Sequence, residues 1–146
     1  MSDSFQDFGG IDAARWSELA EAALDVRQRA YVPYSKFPVG AALLTDSGDI
    51  VSGCNVENAT IGATVCAERT AIGCALSAGQ NRFTALCVVT DVDPPSAPCG
   101  ICRQVLAEFC EQLPIMMLHP DGHYRFATLD QLLPMRFSGL DFSESQ

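Results

Sequence analysis

The chain has 146 residues, of which 48% are hydrophobic and 18% are charged, and its formal net charge is −9. These proportions are typical of a folded globular protein and exclude an intrinsically disordered chain. The acidic excess argues against a nucleic-acid partner, because such binding depends on Lys and Arg displacing counterions from phosphates. We expect one domain over residues 1–146, with a flexible tail over residues 1–10, and a small-molecule ligand.

Helices and strands alternate along most of the chain. The predicted elements are a helix over 11–31, strands over 39–44 and 50–56, a helix over 65–78, a strand over 84–90, a helix over 99–111, strands over 115–118 and 124–128, and a short helix over 130–133. Apolar residues around Trp16 have helical spacing, and a turn over 46–49 joins the first two strands as a hairpin. This order predicts a three-layer α/β/α sandwich with a mixed five-stranded sheet.

The cysteines indicate an intracellular protein with a metal site. There are seven of them, at positions 54, 66, 74, 87, 99, 102 and 110. Their number is odd, and the first ten residues lack the basic start and apolar run of a signal peptide. No stretch is long enough to span a membrane. We therefore expect a cytoplasmic protein in which metal binding is favoured over disulfides, and no membrane partner.

Two short segments carry the chemistry: Cys66-Ala67-Glu68-Arg69 and Pro98-Cys99-Gly100-Ile101-Cys102. A Cys-x-x-Cys pair binds one zinc ion from a turn or helix start, and a distant third Cys completes three protein ligands. Three ligands leave a fourth position open for water, as in catalytic zinc sites. A Glu two residues after the first Cys, followed by Pro-Cys-x-x-Cys, is the pattern of zinc-dependent nucleobase deaminases. The alternatives are a structural zinc site or a redox Cys-x-x-Cys, neither of which accounts for Glu68.

Three thiolates require compensation of their charge. With one Zn²⁺ they carry a net charge of −1, which makes a bound water less acidic than histidine ligands would. Cys66 begins one predicted helix, and Cys99 and Cys102 lie in the first turn of another, so both helix N-termini face the sulfurs. Arg69 and Arg103 each lie one residue past a motif element, Glu68 and Cys102 respectively, and we expect both to donate to the thiolates.

Glu68 is the predicted proton shuttle. Zinc lowers the pKa of a bound water toward about 7, and a neighbouring carboxylate accepts the proton that this water loses. The same group then protonates the ring nitrogen and the departing amine. Proton transfer by a positioned group contributes about 10²–10⁴-fold to a rate.

The chain resembles the small, three-cysteine form of the cytidine deaminase family over residues 16–137. The resemblance rests on the segments YSKFPVGAALL (34–44), GCNVENA (53–59), CAERTAI (66–72), CGICRQVLAEF (99–109) and LLP (132–134). It implies a zinc-dependent hydrolase that converts cytidine and 2′-deoxycytidine to the uridine forms and ammonia in pyrimidine salvage. It also implies a cytidine deaminase-like fold, one zinc per subunit and a homotetramer.

The resemblance also implies roles for individual residues. The zinc ligands are Cys66, Cys99 and Cys102, and Glu68 is catalytic. Substrate contacts fall to Phe37 on the base, Asn55 and Glu57 on the ribose, the backbone of Ala67 and Cys99 on the pyrimidine edge, and Ala59 in a neighbouring subunit's site. Phe137 and Ile61 are further inter-subunit candidates, although Ile61 replaces an aromatic residue of many relatives and offers no hydroxyl.

Several simpler interpretations compete with these roles. Phe37 alone would be a core aromatic residue, and Asn55 and Glu57 would be solvated at a strand end. The other four cysteines fit core packing, and His119 and His123 flank a turn, which favours surface roles over metal binding. The rival functions are a deaminase of a nucleoside antibiotic or a guanine-type base and, in another class, a zinc-stabilised nucleic-acid-binding or editing module.

Overall fold

The computed structural model describes residues 5–139 and 142. The elements are α1 (Ala13–Arg27), β1 (Gly40–Thr45), β2 (Ile50–Cys54), α2 (Ala67–Ser77), β3 (Phe83–Val89), α3 (Gly100–Phe109), β4 (Pro114–Leu118), β5 (Tyr124–Thr128) and α4 (Leu129–Leu132), with a 3-10 turn at Ile61–Ala63 before α2. Every predicted element is present, and the main differences lie at helix ends. The first helix is shorter than expected at both ends, and at its start Asp12 caps it by accepting from the backbone N–H of Arg15.

The five strands form one mixed sheet in the order β2-β1-β3-β4-β5. The β1–β2 hairpin is antiparallel, β1 and β3 are antiparallel, β3 and β4 are parallel, and β4 and β5 are antiparallel. The single parallel pair is joined by a crossover through α3, as a parallel connection requires. The predicted mixed five-stranded sheet is confirmed.

Alternate residues of the central strands face two separate cores. In β1, Ala41 and Leu43 belong to the core under α2 and α3, whereas Ala42 and Leu44 belong to the core under α1. The same alternation runs through β3 and β4, as the period of two along a strand dictates. Helices therefore cover both faces of the sheet, which confirms the three-layer α/β/α architecture.

Close packing of α2 on the sheet positions the start of that helix. A Cβ added at Gly53 in β2 would lie 2.4 Å from the backbone nitrogen of Ala71 in α2. Only glycine allows this approach, because the contact is with backbone that has no freedom to move aside. Gly53 thus brings the N-terminal half of α2 against the sheet.

The flexible tail predicted for residues 1–10 is wrong for the part that the structure describes. Phe5 is only 6% exposed and its ring packs edge-on against Tyr124, with 5.0 Å between ring centroids. Phe8 stacks on Phe126 of β5 at 4.5 Å. These aromatic contacts anchor residues 5–10 beside the α1 core. Residues 1–4 of the expected tail lie outside the described residues.

No helix in the described part of the chain is long and apolar enough to cross a membrane.

Candidate active site

Two helix starts bring three cysteines together. Cys66 is the residue that caps α2, Cys99 caps α3, and Cys102 lies in the first turn of α3. The sulfur atoms of all three lie within 4.8 Å of one another, and those of Cys66 and Cys99 are 4.0 Å apart. The positive ends of two helix dipoles therefore face the same group of thiols, as the sequence predicted.

This arrangement fits a zinc ion. A tetrahedral site with Zn–S bonds of about 2.3 Å places its sulfurs about 3.8 Å apart, close to the observed Cys66–Cys99 separation. Thiolates are the soft ligands that select zinc over magnesium or calcium. Cys102 is buried, Cys66 is half-buried and Cys99 is exposed, so the cluster is open to solvent on the Cys99 side.

Hydrogen bonds distribute one proton between two of the sulfurs. Cys102 donates to Cys66, and this contact together with Arg69 lowers the pKa of Cys66 to about 5 against the effect of burial. The same contact and burial raise the pKa of Cys102. Cys66 is therefore the more acidic thiol of the pair, and binding of a metal by all three sulfurs would release the protons that they hold.

Arg69 is the cation beside the sulfurs. Its Nη2 lies 3.6 Å from Cys66 Sγ and 3.4 Å from the carbonyl oxygen of Thr64. Its Nε is buried and has no hydrogen-bond partner among the described residues. The contact with Cys66 raises the pKa of Arg69, as expected for a guanidinium that faces a thiolate. The predicted effect of Arg69 on zinc retention and turnover remains a prediction.

The expected donation from Arg103 to a thiolate is wrong. Arg103 Nε donates to the carbonyl oxygen of Pro98 and Nη1 to that of Leu132, both at 2.7 Å. The side chain turns toward these carbonyls because the loop before α3 and the end of α4 present unpaired acceptors on its side of the helix. Arg103 therefore holds the backbone that leads into Cys99 and acts on the cluster only through that backbone.

Glu68 lies in the first turn of α2, next to the thiols. Its side chain is almost completely buried, with 4% of the residue exposed. Burial raises the pKa of the Glu68 carboxyl to about 7, and the neighbouring Cys66 thiolate adds to this, while the backbone N–H of Glu68 opposes it. A carboxyl with a pKa near neutrality accepts and releases protons readily at physiological pH.

A cavity of about 210 Å³ opens in front of Glu68. The residues that line it are Phe37, Val39, Asn55, Thr64, Cys66, Ala67, Glu68, Val88, Thr90, Ser96, Ala97 and Cys99. Five separate segments thus meet at the C-terminal end of β3, the edge of an α/β sheet where ligands commonly bind. The cavity joins the metal-binding thiols, the carboxyl and an aromatic ring in one small space.

Asn55 fixes the position of the aromatic wall. Its Nδ2 donates to the carbonyl oxygen of Phe37, and its Oδ1 accepts from the backbone N–H of Val39, both at 2.9 Å. The side chain is buried at the cavity wall. One amide hydrogen and one lone pair of oxygen remain for a ligand.

Glu57 lies beside the cavity and is not among the described residues that line it. Its carboxylate accepts from the backbone N–H groups of Tyr34 and Ser35 at 3.1 Å, and also from the Ser35 hydroxyl. These bonds lower the pKa of Glu57, the Ser35 hydroxyl contributing most. In this chain Glu57 anchors the turn before Phe37, so its expected ribose contact remains a prediction.

The expected inter-subunit residues lie on the surface. Ala59 is exposed, Ile61 is 85% exposed and Phe137 is 57% exposed. None of the three is among the described residues that line the cavity. Phe137 instead packs edge-on against Phe142, with 5.4 Å between ring centroids.

Sequence analysis missed Thr90 and Ser96. Thr90 is 4% exposed at the end of β3, and its Oγ1 accepts from the backbone N–H of Ser96 at 3.0 Å. Both residues line the same cavity as Phe37 and Asn55. The available signal was a polar residue directly after an apolar central strand, the position from which α/β folds present side chains to ligands.

Comparison with known proteins identifies the family. The family model for the cytidine and deoxycytidylate deaminase zinc-binding region matches residues 14–117 of the chain. The chain belongs to this family. Both cysteine motifs, Glu68 and the strands β1 to β3 fall within the matched range, so zinc is the metal that the three cysteines are suited to hold.

Individual deaminases match most of the chain. Cytidine deaminase from Sporosarcina psychrophila is 52% identical over 118 residues, which is 80% of this chain and 87% of that protein. Cytidine deaminase from Halalkalibacterium halodurans is 43% identical over 127 residues, 86% of this chain and 96% of that protein. The crystal structure of cytidine deaminase from Burkholderia pseudomallei superimposes with a TM-score of 0.80 at 46% identity, covering 83% of this chain and 98% of that one.

Proposed function

We propose that this deaminase hydrolyses cytidine and 2′-deoxycytidine to uridine and 2′-deoxyuridine with release of ammonia, a reaction of pyrimidine salvage. The observation that carries the proposal is the buried Glu68 carboxyl beside three clustered thiols, in a cavity with one aromatic wall. The identity of more than two-fifths with cytidine deaminases supports the choice of substrate.

Each group has a defined task in this reaction. Cys66, Cys99 and Cys102 hold the zinc ion, which when bound lowers the pKa of a water toward about 7 and so supplies the attacking nucleophile. Glu68 would accept one proton from the attacking water and deliver it to the ring N3. It would then accept the second proton from the resulting hydroxyl and deliver it to the amine, which leaves as ammonia when the C–N bond breaks. One water is consumed and one ammonia is released for each cytidine, so no other reactant is needed.

Residues in and beside the cavity are proposed to bind the substrate. The ring of Phe37 offers a stacking surface for the pyrimidine, and the backbone of Ala67 and Cys99, which line the same cavity, would contact its polar edge. Asn55 and Glu57 are proposed to hold the ribose 3′-hydroxyl. Glu57 would need to rearrange or share its Ser35 contacts to do so.

Charge compensation is the task of Arg69 and the helix starts. Three thiolates with Zn²⁺ carry one net negative charge, and the Arg69 guanidinium 3.6 Å from Cys66 Sγ offsets it. Without this offset, the net negative charge would raise the pKa of a water bound to the zinc. Arg103 supports the site only indirectly, through Pro98.

We also propose that the whole chain acts as one cytoplasmic domain and assembles into a homotetramer. Support for assembly comes from exposed apolar side chains, among them Ile61 and Phe137. In such an assembly Ala59, Ile61 and Phe137 would approach a neighbouring subunit's cavity. Sedimentation of the zinc-loaded protein tests this: a monomeric mass would contradict the tetramer.

A substrate panel tests the function against its rivals. Ammonia release and the ultraviolet spectrum are followed with cytidine, 2′-deoxycytidine, adenosine, guanine and a cytosine-containing nucleoside antibiotic. We expect turnover of the first two and little with the purines. A preference for guanine, adenosine or the antibiotic would overturn the proposed substrate, and salt-sensitive binding of single-stranded RNA would favour the nucleic-acid alternative.

A further inference from the structure

A second group of metal-binding side chains lies outside the cavity. His119 and His123 flank the turn between β4 and β5, and Asp121 lies in the turn between them. Asp91 and Asp93, from the loop that follows β3, face the two imidazoles. We refer to these five residues as the His-Asp cluster.

Both imidazoles converge on a single carboxylate oxygen. His119 Nδ1 lies 3.0 Å from Asp121 Oδ1, and His123 Nδ1 is also in contact with that atom. The two rings are stacked with their centroids 4.4 Å apart. One ligand atom from each of the three residues lies within 4.8 Å of the others, the spacing of a metal site.

The outer ring nitrogens are held by separate carboxylates. His119 Nε2 lies 3.0 Å from Asp91 Oδ1, and His123 Nε2 lies 3.2 Å from Asp93 Oδ1. Histidines that bind metals usually donate their other ring N–H to a carboxylate in this way, which fixes the tautomer and the ring orientation. Here the arrangement occurs twice, once on each imidazole.

The number of protons in the cluster favours a cation at its centre. All four imidazole nitrogens face carboxylate oxygens, but two neutral imidazoles carry only two N–H groups. The backbone N–H of Asp121 donates to His119 Nδ1 at 3.1 Å, so the proton of a neutral His119 ring is on Nε2, toward Asp91. A neutral His123 likewise leaves one ring nitrogen without a proton, so two of the four nitrogen–oxygen contacts place lone pair against lone pair, and one of these is His119 Nδ1 on Asp121 Oδ1. A positive ion at this point removes the repulsion.

We propose that His119, Asp121 and His123 form a second metal site, which binds a divalent transition-metal ion such as Zn²⁺ through both Nδ1 atoms and the Asp121 carboxylate. Imidazole and carboxylate ligands suit zinc and its neighbours, and water completes the coordination. The ion replaces the hydrogen bond from the Asp121 amide. His119 is the least exposed of the three side chains, at 18%, whereas Asp121 and His123 are open to an incoming ion.

The site connects the hairpin to the loop that leads to the active site. Asp91 and Asp93 precede Ser96, which lines the cavity, and Cys99. Arg125 of β5 already holds this loop by donating to the carbonyl oxygen of Pro95 at 2.7 and 3.0 Å. A bound ion, through the imidazoles and their two carboxylates, adds a second link between the same segments.

The test begins from protein that carries one zinc on its cysteines. Equilibrium dialysis against micromolar free Zn²⁺, followed by metal counting, should give two ions per chain for the wild type. The double variant His119→Gln/His123→Gln should retain one ion. Asp46→Asn, which removes an exposed carboxylate elsewhere, is the matched control and should still bind two.

Thermal unfolding gives a second readout that does not depend on turnover. Added Zn²⁺ should raise the unfolding midpoint of the wild type and not that of the double variant, because an ion that binds only the folded chain stabilises it. If the double variant does not fold, the single variant Asp121→Asn takes its place. The proposal is overturned if the wild type binds only one ion, or if the second ion remains in the variants.

Discussion

Replacement of Arg69 by methionine tests whether its guanidinium compensates the negative charge of the three thiolates. The change keeps a long side chain in the space beside Cys66 and removes the guanidinium, whose Nη2 lies 3.6 Å from Cys66 Sγ. Loss of a partner that orients or charges a metal ligand typically weakens metal affinity about 10–100-fold. This range corresponds to about 1.4–2.8 kcal/mol of zinc-binding free energy. We therefore expect zinc to dissociate more readily and the pKa of Cys66 to rise.

The assay is competition for zinc with a chromophoric chelator, with Arg29→Met as the matched control. Arg29 pairs with Asp25 on the surface, where both side chains are at least 60% exposed, so the same substitution there removes a charge far from the thiols. Arg69→Lys should retain part of the affinity, because it keeps the charge and loses the planar geometry. Equal zinc affinity in wild type and Arg69→Met would refute the compensation argument.

Three further changes test the framework of the cavity. Asn55→Ala removes the partner of two part-buried backbone groups, the Phe37 carbonyl and the Val39 N–H. We therefore expect a loss of about 1–3 kcal/mol in unfolding free energy, measured by denaturant titration, and a raised KM for cytidine. Unchanged values of both would contradict this. Gly53→Ala forces a Cβ to within 2.4 Å of the Ala71 nitrogen. It should cost about 1–3 kcal/mol by the same titration, and a neutral effect would show that α2 can move away. Glu57→Gln tests the contribution of the ionised Glu57 carboxylate to stability. Because folding lowers the pKa of Glu57 from its ordinary value of 4.5, this contribution is present above pH 4.5 and declines below it. The difference in denaturation midpoint between wild type and variant should therefore shrink on acidification, and a constant difference would exclude an ionised role.

The cysteine cluster was predictable because its geometry is local. Cys-x-x-Cys at a helix start directs both sulfurs to one point. The third sulfur, that of Cys66, comes from the start of another helix at the same edge of the sheet. The alternation of apolar residues in β1 and β3 likewise determines which helices cover each face. The cluster follows from a recognisable motif and the alternation from short-range periodicity, and the sequence displays both directly.

The missed features depend on partners that are distant in the chain. Arg103 reaches the carbonyl of Leu132, which is 29 residues away, and nothing in the local sequence indicates that acceptor. In the sequence, Phe5 and Phe8 are flanked mainly by polar residues and glycine. In the fold, both pack against β5, the last strand of the sheet. Thr90 becomes part of the site only because the loop after β3 folds back over it.

The turnover of Glu68→Gln per bound zinc tests the central claim most directly. The substitution keeps the size of the buried side chain and removes its ability to move protons, while Glu21→Gln on the exposed face of α1 is the matched control. Because Glu68 must transfer protons more than once, we expect cytidine turnover to fall by about 10⁴-fold or more, with one zinc per chain retained on the cysteines. Turnover near the wild-type rate at full zinc occupancy would contradict the account.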